Sequence, residues 1–163
     1  MGNLKQKGFT LIELLIVIAI LAIIGAAVFV ALNPAKRLGE ANDAARWSDV
    51  NQILSAIHQY TIDNQGDIPN DGTGDWDNNN YNVLGTGAVT TCDTCAAVTG
   101  TIDGDCLTFT DLTGTYLGSI PEDPRYGSEA DTQYYVQRNT SNIVTVGACQ
   151  TSSYAPGPIK VVR

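Results

Sequence analysis

The chain has 163 residues, a net charge of −8, one histidine and four cysteines. Its length allows one small folded domain beside the apolar stretch described below, not two. The acidic balance argues against a broad nucleic-acid surface, and a lone histidine (His58) leaves little for a histidine-based catalytic or zinc site.

Residues 1–8 carry two cations, Lys5 and Lys7, and end in Gly8. Residues 14–32 then run for 19 positions without a charge. As a helix this run covers about 28 Å, close to the hydrocarbon thickness of a bilayer. The run is too long for the apolar region of a secretory signal, so a retained single span is expected. Lys5 and Lys7 on the upstream side keep the N-terminus in the cytoplasm and send the rest of the chain outward. Glu13 stands at the edge of the run. A carboxylate at membrane depth costs about 2.5–3.5 kcal/mol by insertion scales and calls for a partner, from Lys7 or from another subunit.

Gly8-Phe9-Thr10-Leu11-Ile12-Glu13, followed by this apolar helix, resembles the class III signal of type IV pilins and type II secretion pseudopilins. The resemblance implies an α+β fold in which one long N-terminal helix packs on a small antiparallel sheet, with a disulfide-bonded, loop-rich C-terminal region. It divides the chain into a leader (residues 1–8), a transmembrane and filament-core half of the helix (9–34) and an exported globular domain (35–163). It implies that a prepilin peptidase cuts between Gly8 and Phe9 and methylates the new amine of Phe9. Glu13 would then meet the terminal amine of a neighbouring subunit. An amine and a carboxylate in an apolar bundle are costly apart and tolerable together, so such a pair sets register more than net stability.

Asn33-Pro34 interrupts the helical pattern, and Gly25 is a second weak point. By resemblance, Gly25 and Pro34 bracket a stretch that loosens in the filament, although Pro34 falls later than the usual pilin proline, where this chain has Val30. Beyond it the pattern is amphipathic to about residue 62. Trp47, Val50, Leu54, Ile57 and Tyr60, with Ile53, form a stripe expected to pack on a sheet, leaving Asp43, Arg46, Asp49 and Gln52 on the surface. A continuous helix over residues 9–62 would span about 80 Å. Gly66 is expected to end it.

Residues 67–80 are glycine-rich and acidic and read as a loop. Asp71, Asp75 and Asp77 offer hard oxygen ligands to calcium but lack the EF-hand spacing. Cys92, Cys95, Cys106 and Cys149 all lie on the exported side, where disulfides persist. Four cysteines allow three pairings. The preferred one, Cys92 with Cys95 and Cys106 with Cys149, closes one tight loop and one long loop that ties down the end of the chain. The alternatives for Cys92-Asp93-Thr94-Cys95, zinc or thiol redox chemistry, lack a second ligand pair or a helix start after a strand.

Strands are expected near residues 102–110, at 133–138 and 142–146 as a hairpin around Asn139-Thr140-Ser141, and at 159–162 as an edge strand or tail. The hairpin tip matches an N-glycosylation acceptor pattern. Ile120-Pro121-Glu122-Asp123-Pro124 followed by Tyr134-Tyr135 resembles the C-terminal region of major pseudopilins, which implies a calcium loop with Asp123 and Asp131 as candidate ligands and Glu129 nearby. Residues 125–127 depart from that pattern, and residues 71–101 resemble nothing named.

No GxSxG, HExxH or phosphate-binding glycine loop is present, and no enzyme is expected. The reading is a structural subunit of a type IV pilus, with a major pseudopilin of a secretion or DNA-uptake system as the alternative and a monomeric anchored binding domain as the third reading. The implied partners are other copies of the chain, a prepilin peptidase, a membrane platform with its assembly ATPase, and the lipid bilayer before assembly. The implied location is the cytoplasmic membrane first, with the N-terminus inside, and then a surface filament. No cofactor is expected beyond the calcium candidates.

Overall fold

The computed structural model describes residues 8–69, 79–87, 92 and 94–163 of the chain. It divides into two compact units, one ending at Leu38 and one spanning Gly39–Arg163. In the first, α1 (Leu11–Leu32) is apolar on every side and buries none of its side chains. A helix of this kind needs lipid or other helices around it. Its 22 residues make it long and apolar enough to cross a membrane.

Asn33 ends α1 with φ at 42°, in the left-handed region. Pro34 gives the reason. It has no N–H for the helical ladder and disfavours the right-handed conformation in the residue before it, and asparagine tolerates the left-handed alternative. The backbone carbonyl of Asn33 then accepts from Lys36 N–H at 3.0 Å and Arg37 N–H at 3.3 Å, opening α2 (Pro34–Asp63) with proline in its tolerated first position. The helix over residues 9–62 is therefore not continuous. It is divided at Asn33, while Gly25 sits inside unbroken α1.

In the second unit, α2 presents Asp43, Arg46, Val50, Ile53, Leu54, Ala56 and Ile57 to the interior. It ends through two left-handed residues, Gln65 and Gly66, with Gly66 N–H donating to the Thr61 carbonyl at 2.8 Å. Five strands follow: β1 (Tyr81–Leu84), β2 (Ile102–Leu107), β3 (Tyr134–Arg138), β4 (Val144–Ala148) and β5 (Lys160–Val162), in the order β2-β1-β3-β4-β5. The β1–β3, β3–β4 and β4–β5 pairs are antiparallel. The β1–β2 pair is parallel and irregular between Asn82 and Leu84, so the sheet is mostly but not wholly antiparallel.

Strand alternation separates two apolar clusters. Tyr134, Val136, Val144 and Val146 join the α2 residues in the main core. Val83 and Tyr135 face the other way, onto Cys92, Cys95 and Cys149.

The interior face of α2 differs from the expected stripe in two respects. Trp47 is 43 % exposed, whereas Asp43 and Arg46 are buried. The hydrophobic pattern could not reveal this, because the interior opposite that turn of α2 is polar.

Candidate functional site

The N-terminal site is a short exposed segment placed before a capped helix. Thr10 caps α1: its hydroxyl oxygen accepts from Glu13 N–H at 3.2 Å. The Glu13 carboxylate in turn accepts from Thr10 N–H at 2.9 Å and from the Thr10 hydroxyl at 2.8 Å. This reciprocal capping box satisfies donors that a helix start leaves open, and it puts a negative charge at the positive end of the helix dipole. The Thr10-x-x-Glu13 spacing is itself a capping signal, so the local partner of Glu13 was readable from the sequence. Phe9, 90 % exposed, lies just ahead of the cap, and a side chain at Gly8 would meet nothing within 4 Å. The Gly8–Phe9 peptide bond is therefore open on the outside of the structure. Lys5 and Lys7 lie outside the described residues, as do Asp71, Asp75 and Asp77.

A second constellation binds the loop before β3 to α2. Arg46, 2 % exposed, donates from Nε to Asp123 Oδ2 at 2.5 Å and from Nη2 to Asp123 Oδ1 at 3.1 Å. Its Nη1 donates to Asp43 Oδ1 at 2.8 Å. Asp43 also accepts from Ser152 N–H at 3.0 Å and from the Ser152 hydroxyl. Asp123 Oδ1 further accepts from the N–H groups of Arg125 and Tyr126, both at 2.9 Å. Beside this network the Tyr134 hydroxyl donates to Asp49 at 2.7 Å.

Burial alone would push the Asp123 carboxyl up, but the Arg46 guanidinium and the two backbone donors outweigh it and hold the group below the usual range. Burial likewise opposes ionisation of Asp43, and the Ser152 and Arg46 hydrogen bonds reverse the sign. Burial of the Tyr134 hydroxyl, then the Asp49 carboxylate beside it, push that phenol well up.

The arrangement around Asp123 is that of an arginine-paired carboxylate. Both oxygens are already engaged, and the guanidinium supplies the positive charge that a calcium ion would bring. Asp131 turns to its own loop, accepting from Gln133 N–H at 2.9 Å and Gln133 Nε2 at 2.6 Å. The Glu129 side chain is exposed, and its carbonyl accepts from Thr86. Among the described residues no three metal-ligating side chains gather in one place.

Gly127 makes the Asp123 loop close. Its N–H donates to the Asp123 carbonyl at 3.0 Å, and a Cβ there would collide with the Asp123 backbone. Gly127→Ala should destabilise this unit by about 1–3 kcal/mol, the usual range for overpacking. Thermal melts of the variant and wild-type chains check it, and an unchanged melting temperature would mean the loop has slack.

The disulfides are Cys92–Cys106 and Cys95–Cys149, with Cα separations of 5.2 and 4.6 Å. This corrects the expected pairing. Cys92 lies against β2, which carries Cys106, while the turn after Cys95 is held to the end of β4 by Ala97 N–H donating to the Cys149 carbonyl at 3.1 Å. The neighbours in sequence are thus docked on different strands, and each finds its partner there. The Asn139 side-chain oxygen at the β3–β4 tip accepts from Ser141 N–H and Ile143 N–H, both at 2.9 Å.

A family model described as the prokaryotic N-terminal methylation motif matches residues 3–29. No curated protein and no solved structure matches the chain.

Proposed function

We propose that this chain, a structural protein of the type IV pilin and pseudopilin superfamily by its N-terminal methylation motif and α+β fold, is a filament subunit of a type IV pilus. The observation that carries the proposal is α1 itself. Its side chains are all unburied, and its one charge is Glu13 at the capped start. Before assembly the bilayer covers this surface. In a filament, neighbouring α1 helices replace the lipid.

The exposed Gly8–Phe9 bond is the processing site in this reading. Cleavage leaves a new amine on Phe9, next to the Thr10–Glu13 box, and methylation modifies that amine. Glu13 then exchanges its local Thr10 bonds for the Phe9 amine of a neighbouring subunit, and this pairing sets the axial register of the bundle. A prepilin peptidase, a membrane platform and an assembly ATPase are the partners such a pathway requires. The N-terminus begins in the cytoplasm and the Gly39–Arg163 unit outside. Gly25 and Pro34 bracket the segment proposed to loosen on assembly. No calcium step enters the proposal.

The experiment is immunogold electron microscopy of producing cells with an antibody to the Gly39–Arg163 unit. Label along surface filaments is expected. Label confined to the envelope would instead favour a pseudopilin, a reading supported by the Ile120-Pro121-Glu122-Asp123-Pro124 loop ahead of the β3–β4 hairpin. Glu13→Ala should lower the sheared-filament fraction by at least about tenfold while membrane insertion stays within about twofold, since loss of a buried charge partner removes the pairing and not the apolar span. Wild-type yields of filaments from that variant would sink the register mechanism.

A further inference from the structure

Charge is segregated along this chain. Residues 132–163 contain no Asp or Glu and three cations, Arg138, Lys160 and Arg163. Residues 39–131 contain 16 acidic residues against two cations. The sheet order turns this into geometry, because β5 forms one edge and β2 the other.

The β5 edge is cationic and partly apolar. Lys160 and Arg163 are exposed, and Val162 between them is 51 % exposed. Arg163 exchanges both backbone hydrogen bonds with Val144, which pairs on its other side with Arg138, so the two arginines share one row of the sheet. At the opposite edge β2 contributes Asp103 and Asp105 to the sequence. Beside the end of β2 opens a cleft of about 500 Å³, lined by the buried Leu107 and Phe109 and by the exposed Glu122 and Glu129. Among the described residues no ion pair joins Lys160 or Arg163 to a carboxylate, or Glu122 or Glu129 to a cation.

We propose that these two edges are the two halves of one interface between copies of this chain: the cationic β5 edge of one copy docks against the β2 edge and acidic cleft of the next. Apolar walls with a carboxylate lining fit an aliphatic stem with a cationic head, as Lys160 supplies, and the apolar Val162 lies beside it. The second copy is favoured because the complement lies on the same molecule. The two surfaces differ and lie on different parts of the molecule, so the contact is head-to-tail and repeats without closing into a two-fold dimer. Three cations on a chain of net charge −8 make a poor nucleic-acid surface by comparison. The inference rests on the filament reading and specifies which faces of the globular units meet.

The test is a photo-crosslinking residue at Val162 of the full chain in producing cells. A self-adduct of twice the chain mass is expected, with its second attachment in residues 85–87, 107–109 or 118–129. No self-adduct, attachment to β5 of the second copy, or attachment only to nucleic acid or another protein overturns the proposal. Lys160→Glu with Arg163→Glu should cut the adduct at least about tenfold, and adding Glu122→Lys with Glu129→Lys should restore it, as complementary charges require. Failure of that restoration in chains whose disulfides have formed also overturns it. The milder Lys160→Gln with Arg163→Gln pair should give an intermediate loss. Filaments in the sheared fraction without a self-adduct would defeat this interface and leave the filament reading standing. A self-adduct in membranes without filaments would do the reverse.

Discussion

Asp123→Ala is expected to destabilise the Gly39–Arg163 unit by about 3–5 kcal/mol, the cost of breaking a buried ion pair from one side. The variant leaves the Arg46 guanidinium inside the protein with Asp43 as its remaining carboxylate partner, after losing the 2.5 and 3.1 Å bonds to Asp123. The backbone donors of Arg125 and Tyr126 lose their acceptor at the same time. Denaturant unfolding of the full chain in detergent, followed by tryptophan fluorescence, measures the loss. A change below about 1 kcal/mol would mean that the pair is solvated and that the loop before β3 is held by something else. Asp43→Asn with Arg46→Met added to Asp123→Ala should recover much of the loss, because the triple variant leaves no buried charge without a counter-charge, whereas Arg46→Met alone would strand the Asp43 carboxylate.

The same network sets the acid limit of the fold. The carboxyls of Asp43 and Asp123 are both held below their ordinary range in the folded state. Each therefore contributes stability that is fully present above the unfolded carboxylate value. That contribution is lost as pH falls through the lower folded value. Stability should hold from neutral pH down to about pH 4 and decline below it, and Asp123→Ala should flatten that decline.

Removing the Cys95–Cys149 bridge as Cys95→Ser with Cys149→Ser should cost about 4 kcal/mol, and removing Cys92–Cys106 as Cys92→Ser with Cys106→Ser about 3 kcal/mol, by loop-closure entropy. The order follows from the sequence separations of 54 and 14 residues. Each double variant should fold with no free thiol. Maleimide labelling under denaturing conditions reads this directly, and two labelled thiols per chain in both variants would overturn this pairing in favour of one of the other two. The Cys95–Cys149 bridge matters more because residue 149 follows β4, and the segment after it supplies both Ser152 to the buried charge network and β5 to the sheet edge.

Features carried by neighbouring residues were legible in the chain. The apolar helix needs only a run of residues without charge, and the N-terminal methylation motif needs only Gly8-Phe9 and the Glu13 spacing ahead of it. The β3–β4 hairpin shows itself by alternation around a polar tip, and β5 by a short apolar run after two prolines. Strand β1, Tyr81–Leu84, escaped notice because four residues beside a glycine-rich loop carry too little pattern. The split at Asn33 was half legible: Pro34 marked the place, and the left-handed asparagine decided that the helix would divide there.

Tertiary packing decided what is non-local. Arg46 and Asp123 are 77 positions apart, and a helical pattern built on apolar residues assigns an arginine to solvent unless its buried partner is known. The cysteine partners depended on which strand each neighbour of the Cys92-Asp93-Thr94-Cys95 segment reached, a matter of sheet order that spacing does not encode. The chain by itself determined an apolar, capped helix ahead of an acidic, disulfide-bonded domain, because charge, hydropathy and capping act over a few residues. Only the folded sheet put β5, with its cations, at one edge and β2 at the other, because strand order is fixed by packing between segments distant in sequence.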